Sequence, residues 1–82
     1  MKNELTYRLH GEKGLNMTTK ELLEKMPAKI VATLNDLRKD YNNPTLNKDA
    51  TRKEVYGYTK GLRDAGLITE RERQILFVYG VA

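Results

Sequence analysis

The stretch "TRKEVYGYTKGLRDAGLITERERQIL", residues 51–76, decides how this chain folds. Thr51 followed three residues later by Glu54 fits a capping box, so a helix is expected to open at Thr51. Gly66 supplies the left-handed residue that ends helices, so that helix should close there. Thr69 and Glu72 repeat the start signal, with acidic residues early, and predict a further helix over about 70–79. The run Ile75–Tyr79 is five consecutive apolar residues, partly β-branched or aromatic, which also suits a buried strand. The specific start signal favours the helix.

Upstream, Leu5, Tyr7 and Leu9 alternate with Thr6, Arg8 and His10, the period-two pattern of a half-buried strand. "GEKG" at 11–14 reads as a turn, with Leu15 to Met17 as a short return strand. A capping box at Thr18 and Glu21 then starts a helical segment. Leu23, Met26, Ile30, Leu34, Leu37 and Tyr41 form one apolar stripe at intervals of three and four. The stripe runs straight through Pro27, which an unbroken helix accommodates only by kinking. Two helices with Pro27 in the first turn of the second is the favoured solution, because proline is at home there. "YNNPTLNKDA", residues 41–50, is a loop by composition. The expected fold is therefore mostly α within an α+β frame, a strand or short hairpin followed by three to four helices, in one small domain spanning 1–82.

Eighty-two residues bury only about 60–65% of the surface of the unfolded chain, so stability should be marginal. With no cysteine there is no disulfide or thiolate metal site to act as a staple. No apolar run is long enough for a membrane span or for a signal peptide, so a cytoplasmic protein is expected. Lys and Arg total 15 against 11 Asp and Glu, a net charge of +4 with both signs interspersed. That bias favours encounter with nucleic acid or acidic protein surfaces without specifying either.

Catalytic equipment is sparse. The chain has one histidine, no cysteine and no serine, and His10 reads as an ordinary strand or surface residue. No metal-ligand spacing occurs, and the pairs Glu70/Glu72 and Asp36/Asp40 are explained as helix-end charges and surface pairs. Gly57 and Gly61 lie inside a helix rather than between a strand and a helix, so they form no phosphate loop. A non-enzymatic protein with no metal, cofactor or small-molecule substrate is expected.

On a helical wheel, residues 51–65 divide into three faces. Val55, Tyr58, Leu62 and Ala65 form an apolar face that should point inward. Arg52, Tyr56, Thr59, Lys60 and Arg63 form a second face, in which cations flanking a tyrosine could neutralise phosphates or meet an acidic partner. Gly57 and Gly61 form a small-residue strip, each costing about 0.8–1 kcal/mol relative to alanine in a helix interior. Close approach of another helix, or of a second copy of the chain in a homodimer, would offset that cost.

Three resemblances attach to these residues. "LRDAGLI", 62–68, is similar to the end of the recognition helix of winged helix-turn-helix regulators. That likeness would turn Arg52, Tyr56, Lys60 and Arg63 to the DNA major groove and place Arg71 and Arg73 in a wing. "LITERERQIL", 67–76, resembles the opening of helical domains in LuxR-type regulators and sigma factors. Residues 51–79 as a whole resemble small proteins of phages and mobile elements of Gram-positive bacteria, anti-CRISPR inhibitors among them. That likeness implies a binding protein that engages a nucleic acid or a host nucleoprotein without catalysis. A helix-turn-helix or winged-helix transcription regulator is the first alternative, and a self-associating assembly protein the second.

Overall fold

The computed structural model describes Thr6–Tyr7 and residues 17–82, with side chains from Thr18 onward. Among the described residues the chain is mostly helical, in the order β1 (Thr6–Tyr7), β2 (Met17–Thr18), α1 (Thr19–Lys25), α2 (Ala28–Tyr41), α3 (Lys48–Asp64) and α4 (Glu70–Gly80). β1 and β2 pair antiparallel over two residues each, Thr6 opposite Thr18 and Tyr7 opposite Met17. The rest of the hairpin expected between Leu5 and Met17 lies outside the described residues. No helix among them is long and apolar enough to cross a membrane.

Local hydrogen bonding explains most of the boundaries. The Thr18 and Glu21 capping box forms in full, each side chain accepting from the other residue's backbone N–H at 3.0 Å. Pro27 separates two helices and stands one position earlier than expected, as the N-cap of α2. Its carbonyl accepts from Ile30 and Val31, and it needs no N–H of its own there. α4 opens with the complete Thr69 and Glu72 box, and Ile75–Tyr79 is helix rather than strand.

The start of α3 corrects the sequence reading. The helix begins at Lys48, three residues before Thr51, because the Asn47 side chain accepts from the N–H of Ala50. Thr51 is no cap. Its hydroxyl donates back to the carbonyls of Asn47 and Lys48, inside the helix. The far end agrees with the sequence reading: Gly66 has φ +79°, its N–H bonds to Arg63, and that of Leu67 bonds to Leu62. Those two bonds make a Schellman closure.

α3 and α4 lie side by side as an antiparallel hairpin, joined near Arg63 and Glu70 and still in contact at Val55 and Gly80. α2 packs on both, and α1 reaches α4. The shared core comprises Leu22, Leu34, Leu62, Ile68, Ile75, Leu76 and Tyr79, with Leu23, Met26, Ile30 and Tyr58 half-buried around it. Leu22 is thus the deepest residue of α1, although the periodic stripe selects Leu23. In α4 the apolar run wraps the helix: Ile75, Leu76 and Tyr79 face the core while Val78 faces solvent. No buried side-chain nitrogen or oxygen among the described residues lacks a hydrogen-bond partner.

Candidate functional site

The inward face of α3 consists of Thr51, Val55, Thr59 and Leu62. Thr59 is fully buried, and its hydroxyl donates to the carbonyls of Val55 and Tyr56. It therefore belongs to the core and cannot contact a partner, contrary to its predicted place among the cations. Back-bonding satisfies its polar atom without help from water. Ala65, expected to point inward, is exposed, and Tyr58 is half-buried.

Removing Thr59 leaves Arg52, Tyr56, Lys60 and Arg63 on one accessible flank. Tyr56 is 45% exposed. Its ring meets the Phe77 ring edge-on at 6.1 Å between centroids and lies under the Arg73 guanidinium at 5.2 Å. Arg71 and Arg73, which the winged-helix likeness places in a wing, both lie on α4, since residues 70–80 are helical. Arg73 reaches the flank from there, and its side chain is only 12% exposed.

Every cation of this flank has an acidic neighbour. Arg52 pairs with Asp49 at 2.6 Å and also donates to the Tyr41 hydroxyl at 3.4 Å. Lys60 pairs with Asp64 at 3.3 Å, and Arg63 bridges Asp64 at 3.1 Å and Glu70 at 2.5 Å. Glu70 is the hub. Its carboxylate also accepts two bonds from Arg73, at 2.8 and 2.9 Å, and one from Gln74 at 3.1 Å. Hydrogen bonds from Arg73, then Arg63 and Gln74, hold the Glu70 carboxyl far below the usual carboxylate range. Bonds from Arg63 and Lys60 lower that of Asp64, and its bonds to Tyr41 and Asp49 raise the Arg52 guanidinium. Exposed pairs of this kind contribute little to stability, because solvent screens them. Their larger effect is to fix side chains and to balance charge, leaving one positive charge in excess across Arg52, Lys60, Arg63, Arg73, Asp49, Asp64 and Glu70.

Phe77 and Glu70 of α4, and Asp64 at the last position of α3, also shape this flank, although none belongs to the face that helical spacing selects. The Glu70–Arg73 pair is visible in sequence as an i,i+3 combination of opposite charges. Phe77 carries no such signal, because its meeting with Tyr56 depends on how the two helices are set side by side.

Gly57 and Gly61 do not pack against another part of the described chain. A β-carbon built at either one meets nothing within 4 Å. Among the described residues, then, no helix packs on either of them. Gly80 packs against α3 instead. Among the described residues no group of three or more histidine, cysteine, aspartate or glutamate side chains could hold a metal ion.

No protein-family model matches the chain, and neither a curated protein nor a solved structure matches it. The likenesses to phage proteins and to regulators therefore rest on the quoted stretches alone.

Proposed function

We propose that this chain is a non-enzymatic binding protein, of the kind that phages and mobile elements encode, that docks on the protein face of a nucleoprotein. The docking surface is Arg52, Tyr56, Lys60 and Arg63 of α3, widened by Arg73 and Phe77 of α4. One observation carries the reading: the cations form ion pairs around a half-exposed aromatic instead of standing as a free row. A tyrosine held by a phenylalanine and an arginine has the composition of an interface anchor, where Tyr and Arg are enriched. Because the ring is already held, little side-chain freedom is lost on binding. Charge balance suits a mixed protein surface better than a uniform line of phosphates.

The second reading is direct contact with nucleic acid, as an inhibitor or a DNA-binding regulator. It is favoured by four cations on one flank and a net charge of +4. Surface ion pairs are weak enough for phosphates to displace.

Titrating the chain onto duplex DNA and single-stranded RNA at two salt concentrations separates them. Docking on protein predicts negligible affinity for either free nucleic acid. It also predicts that nuclease-treated nucleoprotein still retains the chain and that Tyr56→Ala abolishes retention. Tight binding to free duplex with a log–log salt slope near −2.7, about −0.9 for each of three phosphates, would replace it with the nucleic-acid reading.

A further inference from the structure

We propose that Asn35, Arg38, Lys39 and Asn42 form a second site, on α2, that binds a phosphate-type oxyanion. Asn35, Arg38 and Lys39 stand at i, i+3 and i+4 on one face of α2, and Asn42 follows as the C-cap of that helix. Together they line a shallow depression of about 450 Å³, open to solvent.

The site is built around Tyr79 of α4, which is buried against the core. Its hydroxyl donates to Asn35 Oδ1, which fixes the ring and commits the carbonyl side of that amide, leaving the NH₂ group of Asn35 to donate elsewhere. The Arg38 guanidinium lies over the Tyr79 ring at 4.5 Å. A guanidinium held by its flat face keeps its N–H edges available, and those edges match the geometry of an oxyanion. Lys39 adds an exposed ammonium to the same depression. Asn42 donates its own NH₂ group to the Arg38 carbonyl at 2.9 Å, tying down the end of the row.

Charge distinguishes this place from the α3 flank. There each cation has a carboxylate within 3.3 Å. Neither Arg38 nor Lys39 has an ion pair among the described residues, and Asp36 and Asp40 lie round the helix from the Asn35–Arg38–Asn42 row. Asp36 stands three residues before Lys39, yet among the described residues no ion pair holds either cation, so an anion entering the depression would meet a stacked guanidinium, an ammonium and an amide donor without breaking an existing pair. The carbonyl end of the α2 dipole opposes it, and solvent reaches it freely, so binding is weak and depends on both cations. None of these residues belongs to the proposed docking flank on α3 and α4.

The test is a two-dimensional NMR titration of the whole chain, first with inorganic phosphate. It is then repeated with a nucleoside 5′-monophosphate and with a dinucleotide that has one internal phosphodiester and no terminal phosphate. Expected are saturable shifts at Arg38 Nε, at the Lys39 amide and at the Asn35 and Asn42 side-chain amides. Half-saturation is expected at about 1–10 mM, the range of a few weak polar contacts. Arg38→Gln abolishes the response, and Lys39→Gln, which leaves the Tyr79 stack intact, weakens it at least about threefold at unchanged Tm. A response confined to phosphate and the monophosphate identifies a free phosphate ester as the ligand, and a response to the dinucleotide as well identifies a nucleic-acid backbone. Shifts that grow linearly and equally at Lys20, Lys25 and Lys29 would overturn the site, as would saturable shifts that survive both substitutions.

Discussion

Gly80 passes so close to Val55 that a β-carbon added to it would stand 2.5 Å from Val55 Cγ1. Both residues are buried, and Val55 is β-branched, so neither can swing aside. This contact sets how closely the last turn of α4 approaches the middle of α3. Gly80→Ala should therefore destabilise the protein by about 1–3 kcal/mol, the usual cost of overpacking, despite the better helix propensity of alanine. Thermal melts should show Tm lower by roughly 4–8 °C per kcal/mol for a domain of this size.

Gly57→Ala and Gly61→Ala should act in the opposite direction. Each site is open to solvent within a regular helix. Each substitution should add about 0.5–1 kcal/mol by helix propensity. If instead either variant melts lower and a dimer seen by light scattering disappears, the strip is an interface between two copies of the chain.

Thr69→Ala should remove the side-chain acceptor for the Glu72 N–H, now 3.1 Å away, and with it half of the capping box. The expected loss is about 1 kcal/mol. Chemical denaturation should show a lower midpoint with an unchanged slope, since the surface exposed on unfolding stays the same.

Acid should weaken the α3–α4 seam through Glu70. Its folded carboxyl titrates far below the unfolded one, so the unfolded chain binds the proton first. Its contribution is complete above the unfolded value, about pH 4.3, and is lost progressively as pH falls from there toward the depressed folded value. Stability measured between pH 5 and pH 2 should fall less steeply for Glu70→Gln than for the wild type. High salt should narrow the difference, because the network is exposed.

Thr59→Val, which keeps the shape and deletes the hydroxyl, should change stability by no more than about 1–1.5 kcal/mol, since the Val55 and Tyr56 carbonyls also serve the helix ladder. Thr59→Lys should unfold the protein or cost well over 3 kcal/mol, because a charge would enter a site with no exposure. Circular dichroism melts of both variants separate a core position from a contact position.

The sequence alone determined the features whose energy is local. The Thr18–Glu21 and Thr69–Glu72 boxes, the break at Pro27 and the Gly66 closure each involve partners within a few residues, so the residues that form them can be read in order. Thr51 shows where such reading fails. A threonine with a glutamate three residues on has the form of a cap, but Asn47, one turn earlier, offered an equally good acceptor, and the longer helix buries Thr51 against the core. Placement of Arg52, Tyr56, Lys60 and Arg63 on one flank likewise followed from helical spacing.

Tertiary structure decided what that spacing leaves open, namely which way each helix is rotated and how near it lies to its neighbour. A turn of about 40° about the α3 axis moves Thr59 from the surface to the core and Ala65 from the core to solvent, and periodicity is too coarse to fix it. Tyr56 against Phe77, Arg63 on Glu70, Arg38 over Tyr79 and Gly80 under Val55 all join different helices. Each depends on an interhelical distance set by the summed packing of Leu22, Leu34, Leu62, Ile75 and Leu76, and no short stretch of chain encodes that sum.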